Sequence, residues 1–159
     1  YLPDFKDRVQ LFHSDGVALE ELKDKSDYLD AVCCDPPYIA QNERYTTDER
    51  DLSNMNYKQY IAKMEQNFVE LFRLIKKSNF EKKEFYPVIF KVGTGRRGKN
   101  GICDMSAEFQ YLAKSTGFVV WDLFYNQLNT PWGSVNWERN YLNRYVQKSH
   151  ESNLVFCRF

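Results

Sequence analysis

One segment of the chain repeats apolar residues at intervals of three and four, which is the spacing of a buried helix face. These residues are Tyr57, Ile61, Met64, Phe68, Leu71, Phe72 and Ile75. Apolar runs of strand length lie on both sides of this segment, at residues 31–34 and 87–92. A strand, a helix and a second strand in this order form a right-handed crossover whose two strands run parallel. We therefore predict an α/β fold with these two strands near the centre of its sheet.

The remaining patterns extend this fold along the chain. Further strands are predicted at residues 9–12, 118–125 and 154–159, and further helices at 17–25 and 104–115. The last two strands are predicted to pair antiparallel at one edge of the sheet. Ser14 or Asp15 can cap the first of these helices, and Gly117 suits the end of the second. The polar stretch 39–56 is predicted to be a mobile loop, either a lid over the site or a disordered segment.

Length and composition limit the class of protein. At 159 residues the chain is predicted to be a single domain, residues 1–159. Lys plus Arg and Asp plus Glu each number 22, so contact with nucleic acid requires local basic patches rather than an overall charge. No apolar run reaches the roughly 20 residues of a membrane span. The four cysteines lack zinc spacing and are interpreted as reduced residues of a cytoplasmic protein. Because the chain begins at Tyr1, we expect a fragment of a longer protein.

The run Asp35-Pro36-Pro37-Tyr38 follows the first central strand directly. The carboxyl end of such a strand is where ligands bind in open α/β sheets. Each proline restricts the residue before it, so the Asp35 carboxylate and the Pro36 carbonyl are held as two acceptors at a fixed separation. Two such acceptors suit a planar NH2 group, and Tyr38 can stack on the ring that carries it. Hydrogen bonds to both N–H groups would free the nitrogen lone pair to attack a positioned electrophile such as a sulfonium methyl group.

These four residues resemble the catalytic motif of the S-adenosylmethionine-dependent amino-methyltransferases of DNA. The resemblance implies that Asp35, Pro36, Pro37 and Tyr38 are catalytic, with a base flipped out of DNA as the substrate. It also implies a Rossmann-like core with helices on both faces of the sheet. Asp15 lies about twenty residues before the motif, where the family places an acidic residue near the adenine of the cofactor. Asp15, Gly16 and Asp35 are therefore expected to bind S-adenosylmethionine.

The end of the chain is similar to the same family. Asn129-Thr130-Pro131, Arg144-Tyr145 and His150-Glu151 resemble the tail of its catalytic half. Arg139, Arg144 and Lys148 are the candidate contacts to DNA phosphate, and a solvated charged face is the alternative interpretation. The family's glycine-rich segment Phe-x-Gly-x-Gly is not found, so we expect an incomplete core, completed by a missing C-terminal segment or accompanied by a second copy in a homodimer.

A glycine- and arginine-rich segment at 93–101 admits three interpretations. Its spacing approaches a phosphate-binding loop, but Asn100 stands where such a loop needs Ser or Thr to hold magnesium. Residues 92–95 could instead cradle the cofactor. The interpretation that we favour is a mobile basic loop, because the family has a charged segment near its target at this place.

The expected reaction is methylation of the exocyclic amine of a DNA base, as in restriction–modification systems. Adenine N6 is favoured over cytosine N4, because an Asp at the first motif position is more typical of the adenine enzymes. The alternatives that remain open are a cytosine N4 enzyme, an RNA-base or protein-amide methyltransferase, and a catalytically silent subunit that binds DNA. No metal and no membrane are expected to take part.

Overall fold

The computed structural model describes residues 10–12, 15–37, 46–96, 102–127 and 150–159. The predicted crossover unit is present in it. Strand β1 (Val32–Cys34) leads through helix α1 (Tyr57–Leu74) to strand β2 (Pro87–Val92). The two strands are parallel, with Val32 opposite Val88 and Cys34 opposite Phe90. The predicted helix and the parallel pairing of its two flanking strands are therefore confirmed.

Helix α1 begins at a reciprocal cap. The Asn56 side chain accepts from the backbone N–H of Gln59 at 3.1 Å, and the Gln59 side chain accepts from the N–H of Asn56 at 3.0 Å. This arrangement satisfies two of the N–H groups that a helix start leaves without partners. The cap fixes where the 18-residue helix starts, and so which of its residues face the sheet.

Beyond the crossover unit, the sheet is completed by an antiparallel pair, as predicted. Strand β5 spans Val119–Gln127 and strand β6 spans His150–Cys157. Among the described residues the sheet has four strands in the order β1-β2-β6-β5. Strand β6 is antiparallel to both of its neighbours, and a register shift interrupts its pairing with β5 between Val120 and Asp122. Strand β6 thus begins four residues before the predicted strand.

Helix α2 (Met105–Thr116) packs beside α1 on the same face of the sheet. The ring of Phe68 on α1 stacks on Phe90 of β2 at 4.9 Å between centroids and meets the edge of Phe109 on α2 at 5.6 Å. Phe109 also meets Phe90. Helix α2 ends at Gly117, whose φ of 110° is in the left-handed region that favours glycine. Both described helices therefore bury their apolar faces in one core against one side of the sheet.

Two predicted elements near the start of the chain are wrong in the described residues. Residues 10–12 are not in a strand, and Leu11 is 93% exposed. A short run such as Val9-Gln10-Leu11-Phe12 forms a strand only where its backbone pairs with the edge of a sheet, and the run alone does not determine that pairing. The helix at 17–25 is reduced to a short 3₁₀ helix at Glu20–Leu22. Leu19 has φ of 48°, and Arg73 of α1 donates to the carbonyls of Leu22 and Lys25, so these groups do not build a longer helix.

The described residues 93–96 of the glycine- and arginine-rich segment are more regular than predicted. Strand β3 (Thr94–Arg96) pairs antiparallel with strand β4 (Ile102–Asp104), with Gly95 opposite Cys103. The pairing makes a separate two-stranded sheet just after β2. Backbone hydrogen bonds therefore hold both flanks of what was predicted to be a loop. In the described part of the chain, none of the helices combines the length and the apolar character needed to cross a membrane.

Candidate active site

The end of β1 opens into a cleft of about 620 Å³. Asp35, Pro36 and Pro37 lie directly after the strand and line this cleft. Pro36 is buried, whereas the Asp35 side chain is 56% exposed and faces an accessible space. Clefts that bind small molecules have volumes of about 300 to 1,000 Å³, and this cleft lies within that range. The motif lies at the carboxyl end of a strand and beside a cavity, as predicted, but in the described part of the sheet β1 is an edge strand rather than a central one, because its described partner is β2 alone.

Asp15 and Gly16 line the same cleft. The Asp15 carboxylate accepts from the backbone N–H of Val17 at 2.8 Å, which closes a tight turn and holds the carboxylate beside the cavity. A Cβ placed on Gly16 would meet nothing within 4 Å, so the backbone there is open to an approaching ligand. The residues expected to bind cofactor and three of the four expected to be catalytic are thus brought together.

The loop that carries Asp15 is held in place by Asn67 of α1. The Asn67 amide nitrogen donates to the carbonyl oxygens of Gly16 at 2.9 Å and of Val17 at 3.3 Å. Asn67 is 5% exposed and lines the cleft. The core helix therefore also fixes one wall of the site.

Lys91 of β2 connects Asp35, which follows β1, to Glu151 on the neighbouring strand β6. The Lys91 Nζ of β2 lies 3.3 Å from Oδ2 of Asp35 and 3.0 Å from Oε2 of Glu151 on β6. The two carboxylates, Glu151 first and then Asp35, raise the pKa of Lys91 above its ordinary value. The ion pair leaves Asp35 in the wall of the cleft. Lys91 thus places a positive charge beside the motif carboxylate.

The outer wall of the cleft comes from the polar segment 46–56, which is internally hydrogen-bonded. The Asp51 carboxylate accepts from the Ser53 N–H at 2.8 Å and from the Thr46 hydroxyl at 2.9 Å. Asn54 donates to the carbonyls of Thr46 and Asp48. A salt bridge from Arg50, at 2.7 Å, accompanies hydrogen bonds that lower the pKa of Asp48 to about 2. Residues 46–56 of the predicted loop therefore form a wall of the cleft that is ordered by its own hydrogen bonds.

Cys34 is the last residue of β1 and also faces the cleft. Burial, with smaller effects from Asp35 and Cys33, raises the pKa of the Cys34 thiol to about 11. A thiol with this pKa is neutral at physiological pH and is a poor nucleophile. Cys34 therefore contributes a neutral surface beside Asp35.

Four predicted site residues lie outside the residues that the structure describes: Tyr38 of the motif and the candidate DNA contacts Arg139, Arg144 and Lys148. Among the residues that it does describe, three or more His, Cys, Asp or Glu side chains do not gather in a way that could hold a metal ion.

The structure adds cleft residues that the sequence analysis missed, namely Glu49, Arg50, Leu52, Met55, Lys63 and Asn67. Asn67 had a usable signal in the sequence. It lies three residues after Met64 and four before Leu71, so it is an amide on the buried face of an apolar helix. Such a residue requires a polar partner, which the structure supplies as the carbonyls of Gly16 and Val17.

Solved structures of DNA methyltransferases share this fold. The PvuII DNA methyltransferase, which is cytosine-N4-specific, aligns with 92% of this chain at a TM-score of 0.65 and 14% sequence identity. TTHA0409 of Thermus thermophilus, a candidate DNA modification methylase, was crystallised with S-adenosyl-L-methionine. It aligns with 90% of the chain at a TM-score of 0.60 and 16% identity. M1.HpyAVI in its complex with SAM aligns with 94% at a TM-score of 0.51 and 16% identity.

The chain spans about half the length of these proteins, namely 48%, 53% and 54% of the three chains. No protein-family model matches the sequence, and comparison with curated proteins gives no match. At such low identity the likeness to the solved structures shows the fold. The chain has the Rossmann-like α/β fold of the methyltransferases, and the predicted fold class is confirmed.

Proposed function

We propose that this chain is the catalytic part of an S-adenosylmethionine-dependent DNA methyltransferase that acts on the exocyclic amine of a base. One observation carries the proposal. Asp35, Pro36 and Pro37 lead from the end of strand β1 into the same cleft that Asp15 and Gly16 line. A carboxylate on a stiff turn and an open, acceptor-rich loop thus face one cavity of suitable volume. Structural likeness to proteins crystallised with this cofactor supports the same assignment.

The residues of the cleft fit the proposed cofactor. S-adenosylmethionine carries an amine and hydroxyl groups that donate hydrogen bonds, and the cleft offers acceptors at Asp15, Asp35 and Glu49. Leu52 and Met55 supply apolar surface for a purine ring. When bound there, the cofactor would supply a methyl group on a positively charged sulfur atom.

Asp35 and the Pro36 carbonyl would hold the two N–H groups of the target amine. These hydrogen bonds draw the nitrogen toward tetrahedral geometry, so that its lone pair leaves the aromatic ring and can attack. The carboxylate would also stabilise the positive charge that develops on the nitrogen as its bond to the methyl group forms and the bond between that methyl group and sulfur breaks, until the nitrogen releases one of its protons to solvent. The target base must leave the duplex, because its amine cannot otherwise reach the end of β1. Tyr38 would cover the flipped base, and Arg139, Arg144 and Lys148 would contact phosphates.

Adenine N6 is the proposed target, because the motif begins with Asp. The cytosine-N4 specificity of the PvuII neighbour keeps cytosine as the alternative product. Both bases present a planar NH2 group, so the same pair of acceptors serves either one. Nucleoside analysis of methylated DNA distinguishes the two products directly.

The test is methyl transfer by the full-length protein from radiolabelled cofactor to DNA, with RNA and protein extracts as alternative acceptors. Asp35→Ala is expected to lower turnover on DNA by at least about a thousandfold, because the residue both positions the amine and stabilises its charge. Asp30→Ala is the matched control. Asp30 lies just before the other end of the same strand and pairs with Lys76, so its loss should leave turnover within about twofold.

Normal turnover in the Asp35→Ala variant would refute the assignment of the site. Methylation of RNA or protein alone would refute DNA as the substrate. A protein that binds DNA but transfers no methyl group to any acceptor would instead be the silent partner subunit.

A further inference from the structure

Two residues of opposite charge lie where the cleft meets a second cavity. Glu49 and Lys63 line the cleft of about 620 Å³ and also a neighbouring cavity of about 340 Å³. Met55 lines both spaces as well, so the two cavities adjoin at these three residues. The rest of the smaller cavity is lined by three residues of α1, namely Gln59, Ala62 and Gln66.

The other charged groups of the cleft already have partners. Arg50 pairs with Asp48 at 2.7 Å, and Asp35 pairs with Lys91 at 3.3 Å. The carboxylate of Asp15 accepts from a backbone N–H group. In the described part of the chain, the remaining acid and the remaining base of the cleft form no salt bridge or hydrogen bond, either with one another or with a third residue. Their two charges are thus available to a ligand.

Both of these charged groups are accessible. Glu49 is exposed, and Lys63 is half-buried. A lysine in such a position buries its methylene stem and keeps its ammonium group in water, because burial of an unpaired charge is costly. Since Lys63 lines the two adjoining cavities, its ammonium group can reach a ligand that occupies them. An acid and a base that do not neutralise one another can each hold one charge of the same ligand.

We propose that Glu49 and Lys63 bind the amino-acid end of the cofactor: Glu49 accepts from its ammonium group, and Lys63 donates to its carboxylate. This inference rests on the proposed function and deepens it. The methionyl part of S-adenosylmethionine carries both charges on one carbon atom, so it needs an acid and a base in the same space. Met55 supplies apolar surface for the methylene groups that join this carbon to sulfur. A DNA phosphate carries negative charge alone, so Glu49 would repel it.

Calorimetric titration of the full-length protein with S-adenosylhomocysteine and two analogues tests the inference. One analogue lacks the carboxylate of the amino-acid end, and the other lacks the ammonium group. The wild-type protein is expected to bind each analogue about three- to tenfold more weakly than the parent compound, because each analogue loses one charge-assisted hydrogen bond at an accessible site.

Two substitutions assign the two charges separately. Lys63→Met should weaken binding of S-adenosylhomocysteine by about the same factor, and should leave the affinity for the analogue without the carboxylate within about twofold. Glu49→Gln should likewise weaken binding of the parent compound, and should spare the analogue without the ammonium group. The spared ligand in each variant also shows that the protein is folded. Lys58→Met and Glu65→Gln are the matched controls, because these exposed residues of α1 line neither cavity, and all three affinities should stay within about twofold.

An equal loss of affinity for the parent compound and the carboxylate-free analogue in Lys63→Met would overturn the inference, and so would unchanged binding of the parent compound. The same two results for Glu49→Gln, judged with the analogue that lacks the ammonium group, would overturn it as well. Weaker DNA binding in Lys63→Met with unchanged cofactor binding would assign this lysine to a phosphate, which overturns the inference and leaves the proposed function intact. A wild-type protein that binds none of the three ligands would refute the proposed function itself, and the inference with it.

Discussion

Because Lys91 forms an ion pair with Asp35, we expect the loss of the Lys91 charge to lower turnover by a small factor. Replacing Lys91 with Met removes a charge whose Nζ lies 3.3 Å from Asp35 and 3.0 Å from Glu151. The lysine is held more closely by Glu151, whose side chain is 15% exposed, than by Asp35, at 56%. Its main anchor is therefore on β6, and Asp35 receives the weaker contact.

The expected magnitude follows from the exposure of the pair. The Lys91 side chain is 37% exposed, so water screens its attraction for Asp35. Exposed ion pairs contribute about 0.2 to 1 kcal/mol. If all of this contribution positions the carboxylate in the transition state, Lys91→Met lowers kcat by about 1.4- to 5-fold. The loss is far smaller than the one expected for Asp35→Ala, because the carboxylate itself remains on its stiff turn.

The assay is single-turnover methylation by the full-length protein at saturating DNA and cofactor. Saturation matters because removal of a positive charge can also weaken DNA binding, an effect that appears in the affinity. Lys91→Arg keeps the charge and is the control, so it should retain most of the activity. A loss of a hundredfold or more in Lys91→Met would refute the reasoning, because it would place Lys91 among the reacting groups. An unchanged kcat in Lys91→Met together with a lowered kcat in Lys91→Arg would also refute the reasoning, because turnover would then not depend on the positive charge at this position.

Two further predictions concern the core and the cysteines. Phe68→Ala should lower the free energy of unfolding, measured by urea titration, by about 3 to 5 kcal/mol, because the Phe68 ring is fully buried among other aromatic rings. Val69 lies on the same helix and is 53% exposed, so Val69→Ala should change this free energy by no more than about 0.5 kcal/mol. An equal effect of the two substitutions would contradict the described core. In a Cys103→Ser background at pH 8, mass spectrometry should find the exposed Cys33 alkylated well before Cys34. The thiolate of Cys34 forms only as pH rises toward its pKa of about 11. Faster alkylation of Cys34 would contradict the burial that raises this pKa.

The parts of the fold that could be predicted are those whose signal is local. Helix α1 follows from its apolar stripe, and the end of α2 from Gly117. The position of Asp35 follows from a short apolar run that two prolines terminate. Each of these features depends on residues that are neighbours in sequence, so a window of the chain contains the needed information.

The failed predictions depend on partners far away in sequence. Leu11 and Phe12 are apolar and suit a strand, but pairing with a sheet edge depends on residues elsewhere in the chain. The helix predicted at 17–25 is shorter in the structure, where Arg73, about fifty residues later in the chain, donates a hydrogen bond to the carbonyl of Leu22. The contact of Lys91 with both Asp35 and Glu151 likewise joins three strand ends that only the sheet order brings together.

Adjacent residues of α1 couple the core to the site. Phe68 packs among the aromatic rings under the sheet, and Asn67 before it holds the loop of Asp15 and Gly16. Because successive helical residues point about 100° apart, one turn of α1 serves both the core and the cleft. A shift of the helix caused by a cavity at Phe68 would move Asn67 by a similar distance, and hydrogen bonds of about 3 Å tolerate little displacement. Truncation of a residue that touches no ligand should therefore weaken cofactor binding even where the protein stays folded.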